Sequence, residues 1–264
     1  MLYRILKIYL LFLSQNIKKE VMYRTNFFTL FAIDFVGLGL VLVFFRVIFR
    51  ENSLIAGWNF ESVLLLIGSV AVLREAAYLT FRSGLQSLSQ EIRTGRLDLT
   101  LAKPFSPQLL IAFKGISLTE SLSEGIMGLI LIIYGIMKFD GNIGAYSILF
   151  YTLLGLISYI LFYSVALFFS SLSFWLIKAN NLGAVVWNFM EMARYPRDIL
   201  RGFGKIIFTF IIPTSLIVTV PVSVLIGKTH FDLIFDLILV TVVFFIISNI
   251  VWRRGIRHYE SASS

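Results

Sequence analysis

Long apolar runs separated by short polar segments dominate the chain. A helix needs about 20 apolar residues to cross a hydrocarbon layer of about 30 Å. Residues 27–49, 59–81, 109–137, 144–177, 206–227 and 231–252 each meet that need. The first run carries Asp34 and Arg46, the second opens after Trp58 and carries Arg74 and Glu75, and the fifth is interrupted by Pro213 and Pro221. No internal repeat, low-complexity tract or long linker divides the sequence. The pattern predicts an all-α polytopic membrane protein with six transmembrane helices, folded as one domain over residues 1–264.

The first 25 residues follow a different rule. Arg4, Lys7, Ser14 and Lys18 recur near a helical spacing, while Leu6, Leu10, Leu13 and Ile17 form an offset apolar row. That predicts an amphipathic helix lying in the membrane interface with its lysines toward headgroups. A cleaved signal peptide fits less well, because Lys7 interrupts its apolar stretch and no small-x-small cleavage site follows.

Composition agrees with a lipid environment. Of 264 residues, 58% are hydrophobic and 14% charged, against about 45–50% and about 25% in soluble domains. A water-soluble enzyme is excluded. The formal charge of +8 could suggest nucleic acid, but the Lys and Arg residues sit in short segments between apolar runs rather than on one solvated face. With no cysteine and only His230 and His258, disulfides, thiol chemistry and multi-histidine metal sites have no residues to use.

Basic residues set the orientation. With the N-terminus inside, seventeen Lys and Arg fall on inner segments and four (Arg46, Arg50, Lys138, Lys228) on outer ones, with Arg74 and Lys114 inside spans. Both termini are therefore expected in the cytoplasm, which requires an even number of crossings. The fifth crossing has two placements. At 206–227 it keeps Arg194, Arg197, Arg201 and Lys205 inside, as the charge rule prefers. Alternatively it runs from about Phe174 to Ala193, and 197–227 is a proline-broken hairpin entering from outside. Irregular backbone at such depth needs protein or a watery cavity around it.

Two segments carry candidate chemistry. Residues 83–107 form the one substantial polar stretch between spans, with Glu91, Arg93, Arg96, Asp98 and Lys103, a Gly95 suited to a helix end, and Pro104 and Pro107 as stops. Gln86, Gln90 and Arg93 share one helical face, and Leu85, Leu88 and Ile92 another. This is either a solvated connector or a helix that docks a soluble protein. On the third run, Ser117, Ser121 and Gly125 make a small-residue face permitting close helix approach, with Glu120 and Glu124 beside it. That face serves helix packing, a dimer seam or a translocation path. Charges at such depth usually face protein or water, and Arg74 is expected to meet Asp34 or Glu120 across helices. Trp187 and Phe189 are candidates to line a lipid-like path. The stretch from Val222 to Thr229 ends in Gly-Lys-Thr, but Val222 stands where a phosphate loop needs glycine, so ATP chemistry is not expected in this chain.

The run Ile92-Arg93-Thr94-Gly95-Arg96-Leu97-Asp98, followed by Leu101-Ala102-Lys103-Pro104, resembles the first cytoplasmic loop of permease subunits of type-2 ATP-binding cassette (ABC) exporters. Ala193-Arg194-Tyr195-Pro196, Ile212-Pro213, Val220-Pro221 and the terminal Trp252 to Tyr259 are similar to one bacterial branch of that family, in the same order along nearly the whole chain. The resemblance implies an N-terminal elbow helix, a coupling helix after the second span and a re-entrant hairpin, with Tyr195, Pro196, Pro213 and Pro221, before the last span. It favours the second placement of crossing five. It also implies a dimer of permeases in the plasma (inner) membrane, driven by two separate ATPase subunits that bind ATP and Mg, with coupling contacts at Glu91, Arg93, Gly95, Arg96, Asp98, Lys103 and Pro104. The rivals are a membrane enzyme acting on a lipid-linked substrate, with Glu120, Glu124 and His258 as its polar groups, and an ion-coupled carrier relaying through Asp34, Arg74 and Glu120. Carriers of that kind usually break helices in both halves, and here the break occurs once.

Overall fold

The computed structural model describes residues 9–12, 14, 24–49, 54–114, 122–176, 182–228 and 231–259, and helices make up its architecture. Helix α1 covers Arg24–Ile48, α2 Phe60–Tyr78, α3 Arg82–Arg93, α4 Leu97–Leu101 and α5 Pro107–Ala112. Helix α6 covers Leu122–Lys138, α7 Ala145–Ser171 and α8 Leu182–Met190, which continues as a 3-10 turn over Glu191–Arg194. Helix α9 covers Gly202–Ile206 and passes into a π turn at Ile207–Ile211; α10 covers Thr214–Leu225 and α11 Phe231–His258. Helices α1, α7 and α11 are each long and apolar enough to cross a membrane, and the number rises to 5 if each bent pair counts as one span.

Helix α2 is the axis of the fold. Asn59 caps it by accepting the Ser62 backbone N–H at 3.0 Å, filling one donor that a helix start leaves open. From Ser62 to Ala71 every residue is buried, so the helix is apolar around its whole circumference rather than on one stripe. It lies antiparallel to α6. A Cβ on Gly68 would stand 2.7 Å from the Gly128 carbonyl oxygen, Gly125 meets the Glu75 side chain, and Gly135 meets Leu65. Removing side chains at this seam lets the two backbones approach, the packing mode of helices that have no hydrophobic effect between them in lipid.

Helices α7 and α11 run parallel, as Phe168 meets Phe244 and Phe174 meets Trp252. Helix α10, buried along its length, fills the space between α7 and α2. Helix α1 stands apart, with Leu38, Phe45 and Phe49 buried and most other side chains of its described part exposed.

The apolar runs match the helices to different degrees. The third, 109–137, comprises the end of α5 and α6, and residues 115–121 lie outside the described segments. The second run forms one continuous helix, α2, and the chain bends by 50° only at its end, at Leu79–Phe81, before α3. The fifth, 206–227, is not one helix: the chain turns by 89° between the π turn and α10, at Ile212 and Pro213. Pro221 inside α10 removes one further backbone donor. The N-terminal amphipathic helix falls largely outside the described residues. Its helical residues 9–12 pack inward through Tyr9, which donates to the Leu79 carbonyl at 3.3 Å and stacks edge-on against Phe113, while Leu10 and Leu11 stay exposed.

Candidate functional site

Four charged side chains close a ring inside the helical bundle. Arg74 on α2 meets Glu124 on α6 at 3.4 Å and donates to Glu191. Arg194, three residues after Glu191 on the same 3-10 turn, meets Glu191 at 2.6 Å and Glu124 at 3.5 Å. The turn that follows α8 brings Glu191 and Arg194 to one side, because residues three apart nearly eclipse in a 3-10 helix. Arg74 and Glu124 are each 14% exposed, whereas Glu191 is 41% exposed. The ring thus has a buried edge and a wetter one.

A cavity of about 220 Å³ opens beside the ring, lined by Ile33, Asp34, Gly37, Leu38, Arg74, Glu124, Met127 and Arg194. Asp34 contributes from α1 and accepts a hydrogen bond from the Ser123 hydroxyl. The sequence pattern pointed to Asp34 or Glu120 as the partner of Arg74; among the described residues its ion-pair partners are Glu124 and Glu191, not Asp34. Asp34 and Arg74 share the cavity instead. Ser117, Glu120 and Ser121 lie outside the described residues. Gly125 is buried against Glu75 of the same chain. Sequence reading missed Glu191 and Arg194 as partners. The signal was available in Glu191-Met192-Ala193-Arg194, an acid and a base three apart directly after an apolar helix.

The polar stretch after α2 folds into a helical hairpin. Leu85, Leu88 and Ile92 are buried while Gln90, Arg93 and Thr94 are exposed, so α3 is amphipathic as its pattern predicts. A Cβ at Gly84 would fall onto the Ile111 carbonyl, and this close approach pins α3 to α5. Gly95 adopts a positive φ of 71° after α3, a conformation that glycine takes without a Cβ penalty. Arg96, Lys103 and Pro104 are exposed. Glu91 differs from the other candidate contacts: it is buried and paired with Lys114, so it ties the hairpin together instead of facing out. Asp98, half-buried, faces Tyr259 after α11; burial first and the neighbouring Asp98 carboxylate second push that phenol up.

At the opposite end of α2, a second set of contacts joins distant segments. Ala56 and Gly57 both have positive φ (51° and 81°) in a tight turn closed by Ile55 and Trp58. Trp58 is buried, its indole N–H donates to Asp198 at 2.9 Å, and the Lys228 ammonium lies 5.0 Å above its ring while donating to the Gly57 carbonyl. Pro196 is buried, Tyr195 packs on Phe45, and the Arg197 guanidinium donates to Thr209 at 3.2 Å. Pro213 begins α10. Lys228, in the stretch that resembled a phosphate loop, ends a buried helix rather than linking a strand to a helix.

A larger cleft of about 440 Å³, between α2, α7 and α10, is lined by apolar residues such as Val72, Leu156 and Ile217. Its tyrosines are already engaged, Tyr151 with Ser69 at 2.8 Å and Tyr159 with Thr80. Trp187 does not line either space. It is buried among Tyr78, Phe81 and Phe162, with the Arg82 guanidinium 4.8 Å above it.

A bundle of apolar helices holding an internal ion-pair ring, with an amphipathic helical hairpin at one end, is the architecture of a polytopic membrane protein. Residues 35–263 match the model of a family described as ABC-2 family transporter protein, and the chain belongs to that family. No curated protein and no solved structure matches it.

Proposed function

We propose that the chain is the permease subunit of an ATP-driven ABC exporter, working in the plasma (inner) membrane with a second permease and a pair of separate ATPase subunits that bind ATP and Mg. The observation that carries this reading is the hairpin of α3 to α5. Its apolar face is fixed to the bundle, and its solvent-exposed face presents Gln90, Arg93, Arg96 and Lys103 to a soluble protein. ATP binding by the partner shifts the bundle between two states through this surface, since a ligand moves an equilibrium only through unequal affinity for its states. The cargo is drug-, lipid- or peptide-like, and it leaves the cytoplasm through the cavity of the dimer.

Six crossings with both termini inside give the most consistent path. Contacts of the described residues support it, because the two ends of α2 serve as depth markers. Gly183 at the start of α8 approaches Leu85 and Gln86, at the hairpin end, and Asp198 meets Trp58 at the other end. These two contacts support the reading in which 182–198 is the fifth crossing. Lys228 returns to Gly57, so 202–225 enters and leaves on the side of Trp58, as a re-entrant hairpin does.

The test is charge reversal of Arg93 and Arg96 to Glu. The expected result is loss of ATPase copurification and of transport, with normal membrane insertion. Wild-type binding and transport by the double variant would overturn the assignment.

A further inference from the structure

The ion-pair ring neutralises itself, and Asp34 is left over. Arg74 and Arg194 each meet both Glu124 and Glu191. Asp34 stands outside the ring on α1, held by Ser123, and among the described residues no Lys or Arg forms an ion pair with it. A carboxylate at membrane depth without a counter-charge is costly. An anion gains little here, because both guanidinium groups are engaged by carboxylates. A metal ion finds no set of three acidic or imidazole ligands among the described residues.

The surroundings narrow the cation further. Beside Asp34 the cavity walls are apolar at Ile33, Gly37, Leu38 and Met127. Ile33 and Gly37 also belong to an exposed apolar face of α1 that continues over Phe28, Ala32, Val36 and Leu40. A charged chamber thus adjoins an apolar surface. A Cβ at Gly37 would meet nothing within 4 Å, so the way between the two is open. We infer that the chamber and this face take the head and tail of a cationic amphiphile, with Asp34 as the counter-charge. This rests on the permease reading for its purpose, because it names the class of cargo, but the binding itself needs no ATPase.

The experiment uses the full chain, purified without ATPase in nanodiscs of phosphatidylglycerol. Equilibrium dialysis against dodecyltrimethylammonium is corrected for partition into empty discs. Saturable binding is expected, weakened by about tenfold or more in Asp34→Asn, where the counter-charge is gone, and retained in Asp34→Glu. Gly37→Leu, which keeps every charge and closes the passage, is expected to weaken it as well. Dodecyldimethylamine oxide, with the same chain and no net charge, is expected to show no saturable binding. Equal binding by wild type and Asp34→Asn, equal binding of the two amphiphiles, or tighter binding of dodecyl phosphate would each overturn the inference. Replacing phosphatidylglycerol by phosphatidylethanolamine identifies the source of the ammonium: competition points to a bilayer lipid, and its absence to a foreign amphiphile. Copurification of the ATPase with wild-type chain is measured separately, so either reading can fail alone.

Discussion

Arg74 is where the stability of the ring can be measured. Arg74→Met keeps most of the side chain's volume and deletes its charge, leaving Glu124 with Arg194 alone, at 3.5 Å. Removing one partner of a buried pair costs about 3–5 kcal/mol, because the remaining charge keeps its desolvation penalty. Arg74 and Glu124 are both 14% exposed, so this range applies to their edge of the ring. The residual Arg194 contact puts the expected loss at the lower end, about 3 kcal/mol. The edge to Glu191 is different. At 41% exposure it is screened by solvent, and Glu191→Gln should cost at most about 1 kcal/mol. The decisive arm is the double variant Arg74→Met/Glu124→Gln, in which no uncompensated carboxylate remains on that edge. It should recover most of the loss, and the coupling read from the cycle should exceed about 1 kcal/mol. Reversible unfolding in mixed micelles, followed by tryptophan fluorescence, gives these differences. A double variant no more stable than Arg74→Met would refute the argument, since the cost would then come from packing and not from the unpaired Glu124.

Three further outcomes are expected. Gly128→Val should destabilise the bundle by at least about 2 kcal/mol, because even a Cβ there sits 2.7 Å from the Ala71 side chain and overpacking a close seam is costly; Gly39→Ala, with open space around its Cβ, should be nearly neutral in the same unfolding assay. Trp58→Phe removes the 2.9 Å indole bond to Asp198 while keeping most of the buried ring, and should cost about 1 kcal/mol with faster proteolysis after Arg197 or Arg201. Glu91→Ala should leave Lys114 without its buried partner and lower the melting temperature of the chain, whereas Gln90→Ala, on the exposed face, should leave it unchanged; equal shifts for the two would show that the hairpin is not pinned from within.

Elements with a single dominant period were legible in the sequence. The amphipathic face of α3, its stop at Gly95 and the long apolar runs of α1, α7 and α11 follow from local pattern, and each depends on neighbours within a few residues. What escaped depends on which distant segments meet. The pattern could place Arg74 and Glu124 at membrane depth but could not choose their partners, because Arg74 lies 117 positions from Glu191. The same limit hid Trp58 and Asp198, separated by 140 positions. Breaks were also harder to locate than runs: Pro213 signalled a bend, yet the 89° turn there needed the π turn before it as well.

The charge count favours the first placement of crossing five, against the path proposed above, and the reason lies in how the basic side chains are paired. Counting treats each Lys and Arg as a free, hydrated charge whose transfer is resisted. Arg194 is not such a charge: two carboxylates neutralise it inside the bundle. Arg197 spends its guanidinium on Thr209 and its backbone N–H on Thr219, and Lys205 is half-buried. Of the four residues that separate the two placements, Arg201 alone is exposed. Once paired residues are left out, the preference for keeping 194–205 in the cytoplasm nearly vanishes, and the contacts at Trp58 and Gly57 support the re-entrant path proposed above. The rule holds for flanking charges in water and weakens wherever a basic side chain finds its partner within the protein.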